Sequence, residues 1–582
     1  MEHKDPIFNI RHSLAHVMAR AVLEHFPDAL LTIGPPTENG FYYDFSFSTP
    51  ITDKDLPKIE KTMRKIIPTW NEFAVREVSE KEAREMFKGN TFKLELIDAI
   101  VSRGEKLTVY TSGDFADLCA GPHVASAREL DTAVFKLTHI AGAYWKGDEN
   151  REMLTRVYAL AFGSKEELEA YEAMLKEAKD RDHRKLGKEL DLFTFSDLVG
   201  PGLPLFTPKG TALRQAIVDK IYGFQKEFGY TPVSIPHITK KELYQTSGHW
   251  EKFGDELFQV KSREGAEFIM KPMNCPHHTQ IYASQMRSYK DLPLRYTEAT
   301  MVYRDEQAGE LLGLSRVRSI TQDDGHVFCT PEQMEDEIGG IIAVIKKFYT
   351  SLDLFTPEKY SLTLSVRDPN TPEKYLGEDA TWDLAENTLE SVAKKNNLEY
   401  VRAEGDASFY GPKLDFIFKD ALGRKWQLAT AQLDFQMPKR FGLEYVDRDG
   451  TRKTPVMIHR AIAGSLERFL SVIIEHFAGA FPFWMSPVQV AIIPIKETHD
   501  EKAREVFNSL SDLGYRAEIT RSADAFGKRI RQAKNDKVPY VIIIGDKDIE
   551  AGKVTLESRD AGQIGQVSVE DILVRFKTEQ AK

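Results

Sequence analysis

A chain of 582 residues is too long for one hydrophobic core and sets an expectation of three or more domains. Its composition, 42% hydrophobic and 29% charged, is that of a globular protein; a net charge of −11 argues against a uniformly polyanion-binding surface but leaves room for local basic patches. Three cysteines are too few for a disulfide framework and point to a reducing cytoplasm. No signal peptide is expected at the N-terminus, and apolar runs such as VQVAIIPI fall far short of the ~20 residues of a membrane helix.

Residues 10–26 carry Ile10, Leu14, Val17, Met18 and Val22 at helical spacing, which predicts an amphipathic helix. Strand-like and turn-like pieces alternate from there to about 162. The stretch 164–190 is dense in Glu, Lys and Ala and reads as one solvated connecting helix. A Gly- and Pro-rich segment, VGPGLPLFTPKG, then opens a long central region. Within it LRYTEATMVYRDE and SRVRSITQDDGHVF form an antiparallel-looking pair around the turn QAGELLGL. VMIHRAI reads as a strand, followed by a helix that places Arg468 near its start. The C-terminal part alternates strand VQVAIIPI, helix 500–514, strand RAEIT, helix 525–537 and strand YVIIIG, a compact α/β unit. No internal repeat is evident. The expected organisation is 1–163, a connecting helix 164–190, 191–485 and 486–582.

Four patterns carry chemistry. In MNCPHH, Cys275 stands beside His277 and His278. It reads as a zinc ligand, an activated nucleophile, or a small buried residue in a Pro-stiffened turn. Arg304, Arg316 and Arg318 on the strand pair, with Arg468 on the nearby helix, suit a polyphosphate, because the guanidinium fork grips oxygens in pairs. His12 and His16 fall on one helix face, and Cys119 and His123 repeat the four-residue spacing; spacing alone allows a four-ligand metal site. The GKRIRQAK helix offers Lys528, Arg529, Arg531 and Lys534 to phosphates, unless it is an ordinary solvated face.

The run TEATMVYRDEQAGELLGLSRVRSITQDDGHVFC resembles motif 2 of class II aminoacyl-tRNA synthetases, specifically the threonyl-tRNA synthetase family. GHW, MKPMNCP, FYGPKLDF, WQLATAQLDF and MIHRAIAGSLERF extend the resemblance over nearly the whole chain. It implies a multidomain α+β and α/β protein. An N-terminal α+β editing domain (1–163) and a connecting helix precede an antiparallel-sheet catalytic core, and a C-terminal α/β anticodon-binding domain follows. The family's small ubiquitin-like domain is expected to be absent. The segment ending VSIPHI, with Pro236, is similar to motif 1 and implies a homodimer.

By the same resemblance Cys275, His326 and His459 hold one zinc ion per subunit, with Asp324 and Gln322 beside the threonine. Arg304 bridges the amino-acid carboxylate and the α-phosphate, Glu306 reads adenine, and Arg468 meets the γ-phosphate. Arg316, Lys413 and Gln427 lie near ATP or the reaction centre, and Mg²⁺ accompanies the nucleotide. His12, His16, Asp117, Cys119 and His123 match the editing site for mischarged seryl-tRNA. The chain departs from the family at His277, where glycine is usual, at Ala299 and Thr300 (Phe-Gly), and at Ser319 and Ile320 (Gly-Phe); none of these changes removes a catalytic side chain. The implied activity is cytoplasmic ligation of L-threonine to tRNA(Thr) with editing. The alternatives are a non-charging regulator that binds threonine and RNA, and a metal-dependent hydrolase resting on the HxxxH pair alone.

Overall fold

The computed structural model describes residues 6–520 and 522–581. The chain divides at 176/177 into two compact units.

In the N-terminal unit, helix α1 (Pro6–His25) buries Leu14, Val17, Met18 and Val22 completely, as the periodicity requires. They pack with Ile59 and Met63 of α2 (Leu56–Ile66) against Phe41, Tyr43 and Phe45 of β1 (Gly40–Ser46). Each such side chain contributes roughly 1.5–3 kcal/mol. The 12-residue helix α3 (Thr91–Ser102) is capped by Asn90, whose side chain accepts from the Lys93 N–H. A hairpin of β2 (Thr108–Ser112) and β3 (Phe115–Leu118) ends one residue before Cys119. The main sheet is antiparallel, with β5 (Met153–Ala161) between β1 and β4 (Phe135–Tyr144).

The stretch 164–190 is not one helix. It breaks into α4 (Lys165–Arg181) and α5 (His183–Glu189) because Asp182 turns its carboxylate onto the Arg184 N–H and starts a new helix. α5 is also not fully solvated, since His183 and Leu186 are buried.

The C-terminal unit is built on an eight-stranded sheet. From one edge its order is Thr231–Pro232, β6 (Leu294–Tyr303), β7 (Ser319–Cys329), β11 (Val456–Ser465), β10 (Lys425–Asp434), β9 (Lys413–Lys419), β8 (Tyr360–Val366) and Tyr400–Glu404. The six labelled strands pair antiparallel. The long α6 (Pro208–Glu227), which precedes the edge strand, joins α8 (Met334–Thr350) and α9 (Leu466–His476) in the main core. Val327 and Ile458 face this core. By strand alternation their neighbours Phe328 and Met457 face the opposite side, where α7 (Cys275–Ala283) packs. The second strand of the expected pair begins later than 315: Leu312 and Arg316 bridge a tight turn and pairing starts at Ser319, so Arg304, Arg316 and Arg318 lie beyond the paired strands.

The C-terminal sheet follows the expected alternation. β12 (Val490–Pro494) lies between β13 (Ala517–Ile519) and β14 (Tyr540–Ile544), all parallel, with α10 (Asp500–Ser511) and α11 (Phe526–Asn535) as crossovers. An antiparallel hairpin, β15 (Val554–Ser558) with β16 (Gly562–Val567), and α12 (Val569–Ala581) complete it.

Candidate active site

A cavity of about 130 Å³ opens where β6, β7 and α9 meet, and Arg304, Glu306, Arg316, Gln322 and Arg468 line it. Arg468 sits in the first turn of α9, capped by Ser465, and its Nε donates to the Ser315 carbonyl at 3.2 Å. Arg304 lies over the Phe253 ring at 4.8 Å with a buried, unpartnered Nε, and burial pulls its pKa down. Glu306 accepts from Arg316 Nη2 at 2.7 Å. Arg318 does not join them, for its Nε donates to the Glu306 carbonyl at 2.9 Å and holds the loop in shape.

The strand β7 leads from this cavity to a second cluster. Gln322, whose Oε1 is buried and unpartnered, is followed two residues on by Asp324 and four on by His326. A β-bulge between Asp323 and Gly325 adjusts the strand here. Asp323 anchors it, accepting from Arg460 Nη1 (2.7 Å) and from the Ile462 and Ala463 N–H groups (2.8 and 3.0 Å). Glycine is needed at 325, since a Cβ there would meet Arg460 Nε at 2.5 Å. Asp324 accepts from Asn274 Nδ2 at 3.0 Å, and burial raises its pKa.

His326 and His459 are directly opposed in the β7–β11 register and face α7 with Phe328 and Met457. Cys275 opens α7 below them. Donor atoms of the three residues all lie within 4.8 Å of one another, and all three residues are buried. Asp434 is a carboxylate and only accepts, so His459 Nε2, 2.9 Å away, carries the proton. His459 Nδ1 is then bare and lies 3.1 Å from His326 Nε2. His278 Nδ1 holds the far nitrogen of His326 at 2.8 Å. This donor set fits zinc, since a thiolate and two neutral imidazoles converge in a dry site with outer partners fixing the rings. Burial pushes the Cys275 thiol well up and the His326 imidazole well down.

Several participants carried no role in the sequence reading. His278 and Asn274 belong to MNCPHH itself, so the hexapeptide supplies one cluster residue and two orienting partners. His249, from GHW, lies 3.6 Å from Cys275 Sγ, and burial lowers its pKa to about 3. Tyr410 stacks on His459 at 4.9 Å and donates to Gln432. Lys413 shares a cross-strand row with Gln432, His459 and His326 and pairs with Asp415 at 2.7 Å. Gln427 is exposed near the start of β10. His277 adopts ordinary helical geometry, so glycine is not required there; both its ring nitrogens are buried and unpartnered.

In the N-terminal unit α1 and the β3 exit assemble His12, His16, Cys119 and His123, with donor atoms within 4.8 Å. His12 Nδ1 donates to the Pro122 carbonyl at 3.0 Å, which leaves Nε2 bare 3.3 Å from Cys119 Sγ. His123 Nε2 is 3.4 Å from the same sulfur, and Ser13 Oγ holds its Nδ1. Burial lowers the pKa of all three imidazoles and pushes the thiol up to about 12. The result is a buried set of imidazole and thiol donors that converge as the four-ligand reading requires and that equally suit holding and activating water. Asp117 stands beside this donor group: its carboxylate accepts from Tyr43 Oη at 2.6 Å, pairs with buried Lys93, and its charge acts on His12 and Cys119.

The basic helix α11 needs one correction. Arg529 is buried and donates to the Pro494 and Ile495 carbonyls, so it holds the fold together and is not open to a phosphate. Lys528 and Lys534 are exposed, paired with Asp524 and Glu557.

Three family models match the chain: "tRNA synthetase class II core domain (G, H, P, S and T)" over 258–477, "Anticodon binding domain" over 489–579, and "Threonyl and Alanyl tRNA synthetase second additional domain" over 107–158. A threonine–tRNA ligase of Gloeobacter violaceus is 47% identical over all of this chain and 94% of its own length. One from Thermus thermophilus is also 47% identical, over 97% of this chain and 88% of its own length. Among solved structures, the RNA binding domain of threonyl-tRNA synthetase from Cryptosporidium parvum is 36% identical with a TM-score of 0.65. It covers 68% of this chain and 98% of its own. The "putative threonyl-tRNA synthetase ThrRS-1" of Aeropyrum pernix is 29% identical with a TM-score of 0.61, covering 69% of this chain and 96% of its own.

Proposed function

The chain belongs to the threonine–tRNA ligase family of class II aminoacyl-tRNA synthetases, and we propose the division of labour among its residues that follows. It joins threonine to tRNA at the expense of ATP and edits mischarged product. One observation carries the residue assignment. Strand β7 runs from a cavity lined by arginines to a buried Cys–His–His cluster, with Gln322 and Asp324 between them.

Threonine lies along β7, its carboxylate at Arg304 and its hydroxyl accepted by Asp324, with Gln322 alongside. ATP, accompanied by Mg²⁺, fills the arginine cavity. Glu306 reads adenine, Arg468 meets the γ-phosphate, and Arg316 and Gln427 flank the nucleotide. A carboxylate oxygen of threonine attacks the α-phosphorus in line and pyrophosphate leaves. Arg304 and Lys413 stabilise the charge that develops, and the buried setting strengthens each contact. Cys275, His326 and His459 would hold zinc, which would supply a Lewis acid that an amino group and a hydroxyl can ligate and a methyl cannot. His278 and Asp434 keep the two imidazoles aimed at the cluster.

tRNA lies along the C-terminal α/β unit, with Lys528, Arg531 and Lys534 contacting phosphates. The chain acts in the cytoplasm as a homodimer built on the motif 1 segment. The fully exposed Leu198 and the exposed Phe195, Val199 and Leu205 just before α6 support an apolar interface there. No helix among the described residues is long and apolar enough to cross a membrane.

Serine has the same amino group and hydroxyl as threonine and lacks one methyl, worth about 1–3 kcal/mol of discrimination. It is therefore activated and transferred often enough to require hydrolysis, which His12, His16, Cys119 and His123 perform. Asp117, with Lys93 and Tyr43, braces the wall of that site. Combining His12→Ala, His16→Ala, Cys119→Ala and His123→Ala should leave threonine charging within about twofold and let seryl-tRNA accumulate. Charging assays with threonine, serine and valine test this. Rapid seryl-tRNA deacylation by the variant would remove the assignment, and absence of threonine-dependent pyrophosphate exchange in the wild-type chain would remove the synthetase reading.

A further inference from the structure

His183 opens α5 and is buried. Its Nδ1 lies 2.6 Å from Glu475 Oε1 near the end of α9, and its backbone N–H donates to the same oxygen at 3.0 Å. Glu475 accepts from Arg424 through its other oxygen, so the carboxylate is itself held in place. Because a carboxylate only accepts, Nδ1 carries the proton and Nε2 remains an acceptor. That acceptor takes the backbone N–H of Leu314 at 3.0 Å.

Leu314 is completely buried in the turn that joins β6 to β7. The next residue, Ser315, accepts from Arg468 through its carbonyl and meets Ser471 through its hydroxyl at 2.9 Å. The residue after that is Arg316. The turn closes tightly on the imidazole, since a Cβ at Gly313 would lie 2.2 Å from His183 Nε2. One imidazole thus ties the far end of α9 to the loop whose next two residues line the arginine cavity.

We propose that His183 is a positioning residue for the nucleotide site. It holds the turn at Leu314 against α9 and so sets the spacing between Arg316 and Arg468, across which the nucleotide is gripped. It touches no substrate. The proposal rests on the reading of the arginine cavity as the ATP site.

Two near-isosteric substitutions separate the two ends of the ring. His183→Asn keeps an N–H where Nδ1 was, facing Glu475, but leaves nothing to accept from Leu314. His183→Gln places an amide oxygen near the position of Nε2 and restores that acceptor. In threonine-dependent pyrophosphate exchange His183→Asn should raise the KM for ATP about tenfold, the size expected for a lost buried hydrogen bond. The KM for threonine should not change, and His183→Gln should stay within about twofold of wild type. An equal KM for ATP in the two variants, whether normal or raised, would overturn the proposal. If His183→Asn does not fold, Gly313→Ala tests the same contact from the loop side. It must raise the KM for ATP while sparing that for threonine, and an unchanged KM for ATP is the overturning result. A wild-type chain without threonine-dependent exchange would sink the functional reading and this proposal together. Variants that fail the comparison while wild type is active sink the proposal alone.

Discussion

Arg304→Ala should lower threonine-dependent pyrophosphate exchange by about 10²–10³-fold, the cost of removing one preorganised group from a water-poor site. The structure identifies this arginine as different in kind from its neighbours. The residue is half-buried, its enclosed Nε has no partner, and its contacts are the face of Phe253 and the sulfur of Met273 at 3.3 Å. Among the described residues no carboxylate lies within ion-pair distance of it, whereas Arg316 is paired with both Glu306 and Glu310. A half-buried cation without an ion-pair partner adds little to stability, so its removal should leave thermal stability nearly unchanged while activity falls. That opposition separates a binding role from a structural one. Arg304→Lys should recover little, because a point charge cannot grip carboxylate and phosphate oxygens in pairs. Arg316→Ala, at a half-exposed and already neutralised position, should cost about tenfold or less. Near-normal exchange in Arg304→Ala would remove it from the centre of the site.

Elements set by local periodicity were legible in the sequence, and partners across the fold were not. The helix carrying His12 and His16, the pair β6–β7, the step from β11 to α9, and the strand–helix alternation after residue 488 all rest on spacing within a dozen residues. The break at Asp182 was missed because Glu and Lys density continues through it. What turns the chain there is the Asp182 cap and a contact from His183 to Glu475, almost 300 residues away. Arg529 was misread for a related reason. Four basic residues in one helix look alike in composition, but helical geometry puts Arg529 on the buried side with Ala533, where it meets two carbonyls at the end of β12.

The Cys–His–His cluster shows the same division. Cys275, His326 and His459 came from the resemblance, and strand alternation independently explains why two of them face the third. Their supports, His278 and Asp434, are brought in only by register and by the packing of α7. His278 sits three residues from Cys275, on the same first turn of helix. Proximity in sequence was therefore available as a signal, but only the fold reveals that its target is His326.

The Cys275 position should give the largest loss. Burial pushes the thiol pKa well up, so a thiolate is stable in this pocket only beside a cation, and the bare His459 Nδ1 with the His326 Nε2 facing it completes a donor set that zinc matches. Cys275→Ser replaces a soft thiolate by a hydroxyl that stays protonated and ligates zinc poorly. Zinc per chain, measured by elemental analysis of the purified protein, should fall from about one to a small fraction. The loss should exceed the ~10–100-fold typical of removing an outer partner such as Asp434. Zinc affinity in the wild-type chain should also weaken as pH falls, because ligand protons compete with the metal. Threonine activation should drop more than about 100-fold in the variant while the fold persists, since the main core lies on the opposite face of the sheet. Its preference for threonine over valine should largely vanish, because a pocket that reads shape alone separates isosteres poorly and has no means to favour the hydroxyl. A zinc-free Cys275→Ser protein that activated threonine normally and still rejected valine would show that the cluster has no part in choosing the amino acid.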